Sequence, residues 1–457
     1  MNNINPRLSW STIVAFGAPA TGAGYMYLFM SLYVMKFSTD VLLIAPAIMG
    51  LIFFVSRIWD AVSDPLVGYL SDRTNSALGR RRGWLLASLI PISLTFYMVF
   101  SPPSGLNLGQ LNWWMAFSII GFYSAMTLFF VPHMSLGAEL TEDYHERSRL
   151  FGSRHATYTL GSILSLASMY LLIDAESGSV AGVRSLAKDL ALLAVIIMAV
   201  LLVFSIFRLK ERKDFQGRMT SGPFDAYKDV WNNRHARLLI VVTFIENVGS
   251  AAIAALTLYV MQYVVGAPQL AAVVILAYMV PSSVSVPIWI PLSKKYGKIK
   301  VWVASMVGTG LSFGGFIFLP FIDDLESRVI LSFVLAVFAG ISAGCGGTIA
   351  PSIQSDVIDY DEMLSGERKE GSYFAAWNFV YKSAVGVMLL LTGFVLQFTG
   401  FVPNADQTEL VKFSMVALYG LFPLVCYLIG AYLFTKFELD EAACAEVRRK
   451  LDLRKCS

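Results

Sequence analysis

Arg57, Asp60 and Asp64 place one basic and two acidic side chains in a stretch otherwise apolar from Val41 to Leu70. An ionised group at the centre of a helix crossing lipid costs roughly 2.5–3.5 kcal/mol, so such residues face a bundle interior or a water-filled path. At about 100° per residue, positions 57, 60 and 64 fall on one stripe of a helix. The two carboxylates with no soft ligand beside them suit a hard cation such as Na⁺, whose preference is for oxygen. Two carboxylates this close also resist ionising together, which by itself can make one of them a proton carrier. The chemistry implied is reversible binding of a monovalent cation or a proton.

The elements that must carry these groups follow from composition. Hydrophobic residues make up 56% of the 457 and charged residues 15%, with a mean hydropathy of +0.62. An ordinary soluble domain carries about 25% charged residues, so the chain reads as a polytopic membrane protein. Windows of about 20 apolar residues fall near 10–35, 42–70, 83–101, 112–137, 154–173, 187–207, 236–264, 269–292, 300–320, 328–355, 372–399 and 412–435. The expected fold is an all-α membrane protein of twelve transmembrane helices. Most of the 35 Lys and Arg residues lie in the N-terminus, the even-numbered loops and the C-terminal tail, which by the positive-inside rule puts both termini in the cytoplasm of a multi-pass protein of the cell membrane. Trp113 and Trp114 fit an interfacial belt. Residues 1–9 carry a single basic residue and no small-residue cleavage pattern, so the N-terminus is expected to be retained. The cysteines at 345, 426, 444 and 456 show no paired or metal-ligand spacing.

The longest polar stretch, Arg208 to Arg237, divides the spans six and six. The expected organisation is a first six-helix bundle over 1–207, a cytoplasmic linker over 208–235, a second bundle over 236–437 and a charged tail over 438–457, helical from Glu441 to Lys455. An internal echo supports two pseudo-repeats: Pro132 to Arg154 and Pro351 to Tyr373 both join a proline-containing span to an acidic turn and a Glu-Arg pair. Such repeats mark folds that rock one half against the other around a midplane site. Pro65, Pro132, Pro281 and Pro287 can kink or locally unwind spans.

Further polar residues lie at depth. Glu246 and Asn247, about ten residues into the seventh span, are costly there unless they face a cavity or bond between helices. Tyr25 and Tyr27 in the first span and Trp377 in the eleventh could stack on a solute. Lys382 sits in an apolar run and needs a partner; pairing with the span-two aspartates would link the two halves. His133, beside Pro132, reads as a packing histidine. Asp72, Arg73, Arg80, Arg81 and Arg82 after span two could pair with acidic ends of neighbouring spans and close the cytoplasmic side, as could Asp356, Asp359 and Glu362 with Arg368 in the second half; Arg57 and Arg147 join this gating set.

Taken together, Arg-Ile-Trp-Asp-Ala-x-x-Asp-Pro in span two, Asp72-Arg73 with Gly79 to Arg82 after it, Val131-Pro132 with Glu146-Arg147, and Asp356 to Glu362 with Gly366 to Gly371 and Lys382 resemble the glycoside-pentoside-hexuronide:cation symporters. That family is the branch of the major facilitator superfamily that includes the melibiose carrier. The resemblance implies the major facilitator fold and cation-coupled uptake by alternating access, with Asp60 and Asp64 as cation ligands, Ser63 beside them and Thr127 contributing a span-four hydroxyl. It places Arg154 and Lys382 at or near the sugar and cation sites. The chain departs from the melibiose carrier in span one, where Gly17-Ala-Pro-Ala20 replaces an acidic residue, and before the span-four proline, where Phe129-Phe130 stands; Met134 falls about where a tryptophan is found. These departures disfavour a galactoside pocket and admit a more apolar solute.

The expected function is symport of a small organic solute, a sugar, glycoside or hexuronide, coupled to Na⁺ or H⁺. The competing readings are a carrier of lysophospholipid or another amphiphile and a non-transporting membrane sensor of solute. The chain has no Gly-x-x-x-x-Gly-Lys-Ser/Thr pattern and no nucleophile-base cluster, which argues against ATP-driven transport and against an enzyme. No cofactor, no metal beyond a Na⁺ at Asp60 and Asp64, and no nucleic acid are expected; the partners are solute, monovalent cation and membrane lipid, and a monomer is expected.

Overall fold

Long apolar runs interrupted by short polar turns give helices throughout. The computed structural model describes residues 8–74, 76, 78–141, 144–176, 178–211, 230–366 and 370–456. By contact the chain separates into two units, Met1–Pro223 and Phe224–Ser457.

The first unit holds six helices: α1 (Trp10–Leu32), α2 (Pro46–Arg73), α3 (Arg82–Phe100), α4 (Leu108–Leu140), α5 (Tyr144–Ala175) and α6 (Val180–Arg208). Every one contains a stretch long and apolar enough to cross a membrane. The most extensive packing is of α1 on α5, and small residues make it possible. A Cβ on Gly161 would lie 1.9 Å from the Thr21 carbonyl oxygen, and one on Gly24 would lie 2.2 Å from that of Tyr158. Hydrogen bonds between the same helices, Thr157 Oγ1 to the Gly17 carbonyl at 2.7 Å and Tyr25 OH to Ser168 Oγ at 2.9 Å, fix the register.

Where α1 ends, the backbone passes through one further turn and a π-helix, Phe37–Val41, and buries a charged cluster. Lys36 and Asp40 are 1% and 3% exposed. The Lys36 ammonium pairs with Glu176, just past α5, and lies 3.7 Å from Asp40 Oδ2; Tyr33 OH donates to Glu176 Oε1 at 3.2 Å and Thr39 Oγ1 to Asp40 Oδ1 at 2.7 Å. Burial raises the Glu176 carboxyl above its ordinary range, and Lys36 pulls it part of the way back. Lys36→Met therefore leaves two buried carboxylates without their cation, a loss of about 3–5 kcal/mol. A carboxyl whose folded pKa is raised is stabilising to protonate, and that contribution is lost as pH rises through the folded value. The deficit of Lys36→Met is thus expected to be largest at neutral pH and to shrink as pH falls into the carboxylate range, read as melting temperature against pH in detergent.

The second unit comprises α7 (Arg234–Tyr259), α8 (Ala271–Val284), α9 (Val286–Tyr296), α10 (Lys298–Gly314), α11 (Leu325–Ala343), α12 (Gly346–Ser365), α13 (Glu370–Thr399), α14 (Glu409–Val416), α15 (Phe422–Phe434) and the tail helix α16 (Glu441–Cys456). Helices α8 and α9 are bent by 47° at Ser285, between Pro281 and Pro287, where proline removes backbone donors. Counting that pair as one, the described residues hold up to 12 spans.

The tenth span differs from its expected extent of 328–355. Helix α11 stops at Ala343, and α12 starts at Gly346. Neighbouring side chains take carbonyls near the break: Ser285 Oγ and Trp289 Nε1 both donate to Ile341, at 3.0 and 2.8 Å, and Ser305 Oγ donates to Ser342 at 2.9 Å. Those bonds make an interrupted helix tolerable at membrane depth. The α4 counterpart, with Pro132 inside it, runs unbroken.

Candidate functional site

The charged stretch of the second span folds as part of α2, so positions 57, 60 and 64 share the side that packs on α4. Arg57 and Asp60 are 3% and 1% exposed. The pair closes within the helix, Arg57 NH1 standing 3.1 Å from Asp60 Oδ2, and the guanidinium carbon lies 3.5 Å from the centre of the Tyr123 ring on α4. Four residues on, Thr127 Oγ1 donates to Asp64 Oδ1 at 2.7 Å. The Ser63 hydroxyl, also on α2, is buried without a hydrogen-bond partner among the described residues, a costly condition unless something else occupies its lone pairs. Thr127 and Asp64 thus meet across α2 and α4, and Asp60 and Ser63 lie on the same stretch of α2; carboxylate and hydroxyl oxygens are the donors a hard cation takes.

Around this group the remaining first-unit residues divide. Tyr25 bonds Ser168 and stacks on Phe29 at 5.6 Å. Arg154, partly buried on α5, has its guanidinium carbon 5.8 Å from the Phe130 ring centre. Phe129 is fully buried, and His133 is sandwiched between it and Phe16, at 4.9 and 4.4 Å, with its Nε2 3.0 Å from the Phe16 carbonyl oxygen. The histidine packs as expected, and Phe129 belongs to the core.

The turn after α2 holds a separate charge network. Arg81 pairs with Asp72 and, at 3.0 Å, with Glu139 on α4; Arg80 reaches Glu139 at 2.6 Å. Glu211 accepts from the backbone N–H groups of Arg80, Arg81 and Arg82 at 2.7, 2.9 and 2.7 Å, satisfying donors that the start of α3 leaves open. Gly79 turns the chain there at φ +113°, a conformation that favours glycine. Of the acceptors in this network, Glu139 and Glu211 are the two that the local sequence around the arginines does not contain. Arg73 turns away and stacks on Tyr69, its guanidinium carbon 3.9 Å from the ring centre. Arg147's side chain and Arg368 lie outside the described residues.

In the second unit, Asp356 on α12 accepts from Lys298, at the start of α10, and lies 3.6 Å from Arg448 of the tail helix; Asp359 sits one turn on. Lys382, on α13, follows Tyr381, which lines a cavity of about 360 Å³ whose wall residues all come from helices of this unit. Glu246 and Asn247 both line it, as does Trp377, so three residues expected to contact solute come together. Thr243, Tyr278, Trp302 and Tyr427 complete much of the wall. Trp302 gave no signal in the sequence, since tryptophan is common in membrane helices. Trp302 hydrogen-bonds Glu246, whereas neither the Trp377 indole nitrogen nor Thr243 Oγ1 has a hydrogen-bond partner among the described residues.

A family described as MFS/sugar transport protein matches residues 15–441. The inner membrane symporter YicJ of Escherichia coli (strain K12) is 26% identical, over 94% of this chain and 92% of its own length. Sodium-dependent lysophosphatidylcholine symporter 1 of Homo sapiens is 26% identical over 87% of this chain and 77% of its own. Among solved structures, a mutant of the nucleoside transporter NupG superposes with a TM-score of 0.68 at 13% identity, covering 93% of this chain and 98% of that one.

Proposed function

From the premise that this chain belongs to the MFS/sugar transport protein family, we propose that it is a secondary active transporter of the cell membrane, both termini cytoplasmic, carrying a small organic solute together with a cation by alternating access. The chain is a multi-pass membrane protein of major facilitator fold, and its family is one of transporters rather than enzymes. The observation that carries the coupling is the oxygen cluster on α2 and α4, where Asp64 holds the Thr127 hydroxyl at 2.7 Å and Asp60 stands one turn away, beside the Ser63 hydroxyl.

Asp60, Asp64, Ser63 and Thr127 bind the coupling ion, which is Na⁺. A hydroxyl that donates to one carboxylate still offers its own lone pairs to a cation, whereas a proton needs neither hydroxyl. Arg57 holds Asp60 in the absence of the ion, so cation arrival competes with the intrahelical pair. The arginine network around Asp72, Glu139 and Glu211 serves as a gate in the first unit, and Asp356 with Lys298 in the second. The sugar-type solute contacts Glu246, Asn247 and Trp377. A lysophospholipid is the second reading, favoured by a relative of that name; of the two phenylalanines that suggested it, Phe129 is taken up by the core.

The test is uptake of a radiolabelled glycoside panel into proteoliposomes under an inward Na⁺ gradient or an inward proton gradient. Na⁺ is expected to stimulate uptake of at least one glycoside about tenfold at constant pH, within the range of ordinary coupling energies. Stimulation by protons alone overturns the choice of ion, and uptake confined to lysophosphatidylcholine overturns the choice of solute.

A further inference from the structure

The cavity of the second unit carries a charge asymmetry. Glu246 is the one carboxylate on its wall, and no lysine, arginine or histidine lines it among the described residues. Opposite in function to this acceptor is a donor: the Trp377 indole N–H, on a side chain 4% exposed, finds no acceptor among the described residues. Buried donors left unpaired are costly, and a site built to hydrogen-bond a ligand's polar groups recovers that cost only when they arrive. Phe374 stands edge-on to Trp377 with ring centres 5.7 Å apart, adding an aromatic wall suited to the C–H face of a ring. At about 360 Å³ the space lies toward the small end of ligand pockets.

We infer that this cavity selects uncharged, hydroxyl-bearing ring solutes over their carboxylated counterparts, with Glu246 as the discriminating group. The inference rests on the sugar-symport reading above and narrows it. Hydroxyls donate to the Glu246 carboxylate and accept from the Trp377 indole, so a neutral polyol satisfies both at once. A hexuronate brings a second carboxylate into a cavity that no basic side chain lines among the described residues, and like charges juxtaposed in a partly desolvated site repel. Neutral glycosides are therefore the substrate class, and hexuronides are excluded by charge rather than by size.

The matched probes are methyl β-D-glucoside and methyl β-D-glucuronide, which differ only in CH₂OH against carboxylate, with lysophosphatidylcholine as a third. Binding to the purified full chain is measured calorimetrically at pH 7.5. The wild type is expected to prefer the glucoside by about tenfold or more, 1.4 kcal/mol at 25 °C. Glu246→Gln is expected to narrow that ratio to within about threefold, and Trp377→Phe, which removes one donor and keeps the ring, to weaken glucoside binding about tenfold while leaving the ratio intact. Equal binding of the two sugars by the wild type, or an unchanged ratio in a folded Glu246→Gln, overturns the inference and leaves the sugar reading standing. Saturable binding of lysophosphatidylcholine with neither sugar bound overturns both, as does binding of none of the three. Should Glu246→Gln not fold, the wild-type ratio and Trp377→Phe decide the matter.

Discussion

Asp60→Asn is expected to abolish cation-stimulated uptake, a fall of about 100-fold, toward the upper end of the coupling factors that allosteric linkage supplies. Asp60 is 1% exposed and held 3.1 Å from Arg57. Asparagine keeps the volume and one carbonyl oxygen but removes the charge that a monovalent cation must displace the arginine to reach. The variant also removes the carboxylate that Arg57 faces beside the Tyr123 ring, a destabilisation of about 3–5 kcal/mol when a buried pair loses one partner. Melting in detergent must therefore accompany the flux measurement. The double variant Arg57→Met/Asp60→Asn restores neutrality, and is expected to regain stability without regaining stimulation. Asp64→Asn is expected to lose stimulation too, with a smaller drop in melting temperature, because Thr127 can still donate to the amide oxygen. Wild-type stimulation in a folded Asp60→Asn would sink the assignment of the cation site.

Gly161→Val is expected to prevent accumulation of folded protein. The added carbons would start 1.9 Å from the Thr21 carbonyl oxygen and 2.9 Å from the Tyr25 backbone nitrogen, so no side-chain rotation relieves the clash. Helices α1 and α5 would have to separate, taking with them the hydrogen bonds from Thr157 to Gly17 and from Tyr25 to Ser168. Overpacking that a flexible side chain can absorb costs 1–3 kcal/mol; an obstacle made of two backbones belongs in the rare class above about 4–5 kcal/mol. Gly152→Val, on the same helix with nothing within 4 Å of the added carbon, is the control and is expected to fold. Fluorescence size-exclusion profiles of the two variants read the difference directly. A monodisperse Gly161→Val would show the α1–α5 contact to be looser than described.

The contrast between the sites explains what the amino-acid order revealed. The spans were legible because a run of about 20 apolar residues has few other uses, and Asp60, Asp64 and Glu246 stood out because a carboxylate in such a run is expensive. The break at Gly344–Cys345 was not legible: the residues there are as apolar as their surroundings, and the carbonyls of Ile341 and Ser342 beside it are taken by donors from elsewhere in the unit, Ser285, Trp289 and Ser305. Glu139 and Glu211 escaped for a similar reason, lying 59 and 131 residues from Arg80, with nothing local to pair them. Lys36 and Asp40 did carry a local signal, an i,i+4 pair at the end of the first span, but their third member, Glu176, is 140 residues from Lys36. Aromatic residues were the least informative. Trp302 and Trp377 look alike in composition to Trp113, which is 79% exposed, and only the enclosure of the first two distinguishes them.

The pairing of Arg57 with Asp60 within a single helix bears on how the protein is made. A span carrying three ionisable residues is a poor candidate to leave the translocon alone, at roughly 2.5–3.5 kcal/mol for each exposed charge. Partners three residues apart meet as soon as one turn of helix has formed, long before α4 or any helix of the second unit has been synthesised. The second span thus brings its own counter-ion into the bilayer and presents the insertion machinery with one net charge, that of Asp64, which gains a hydrogen bond when the Thr127 hydroxyl arrives two helices later.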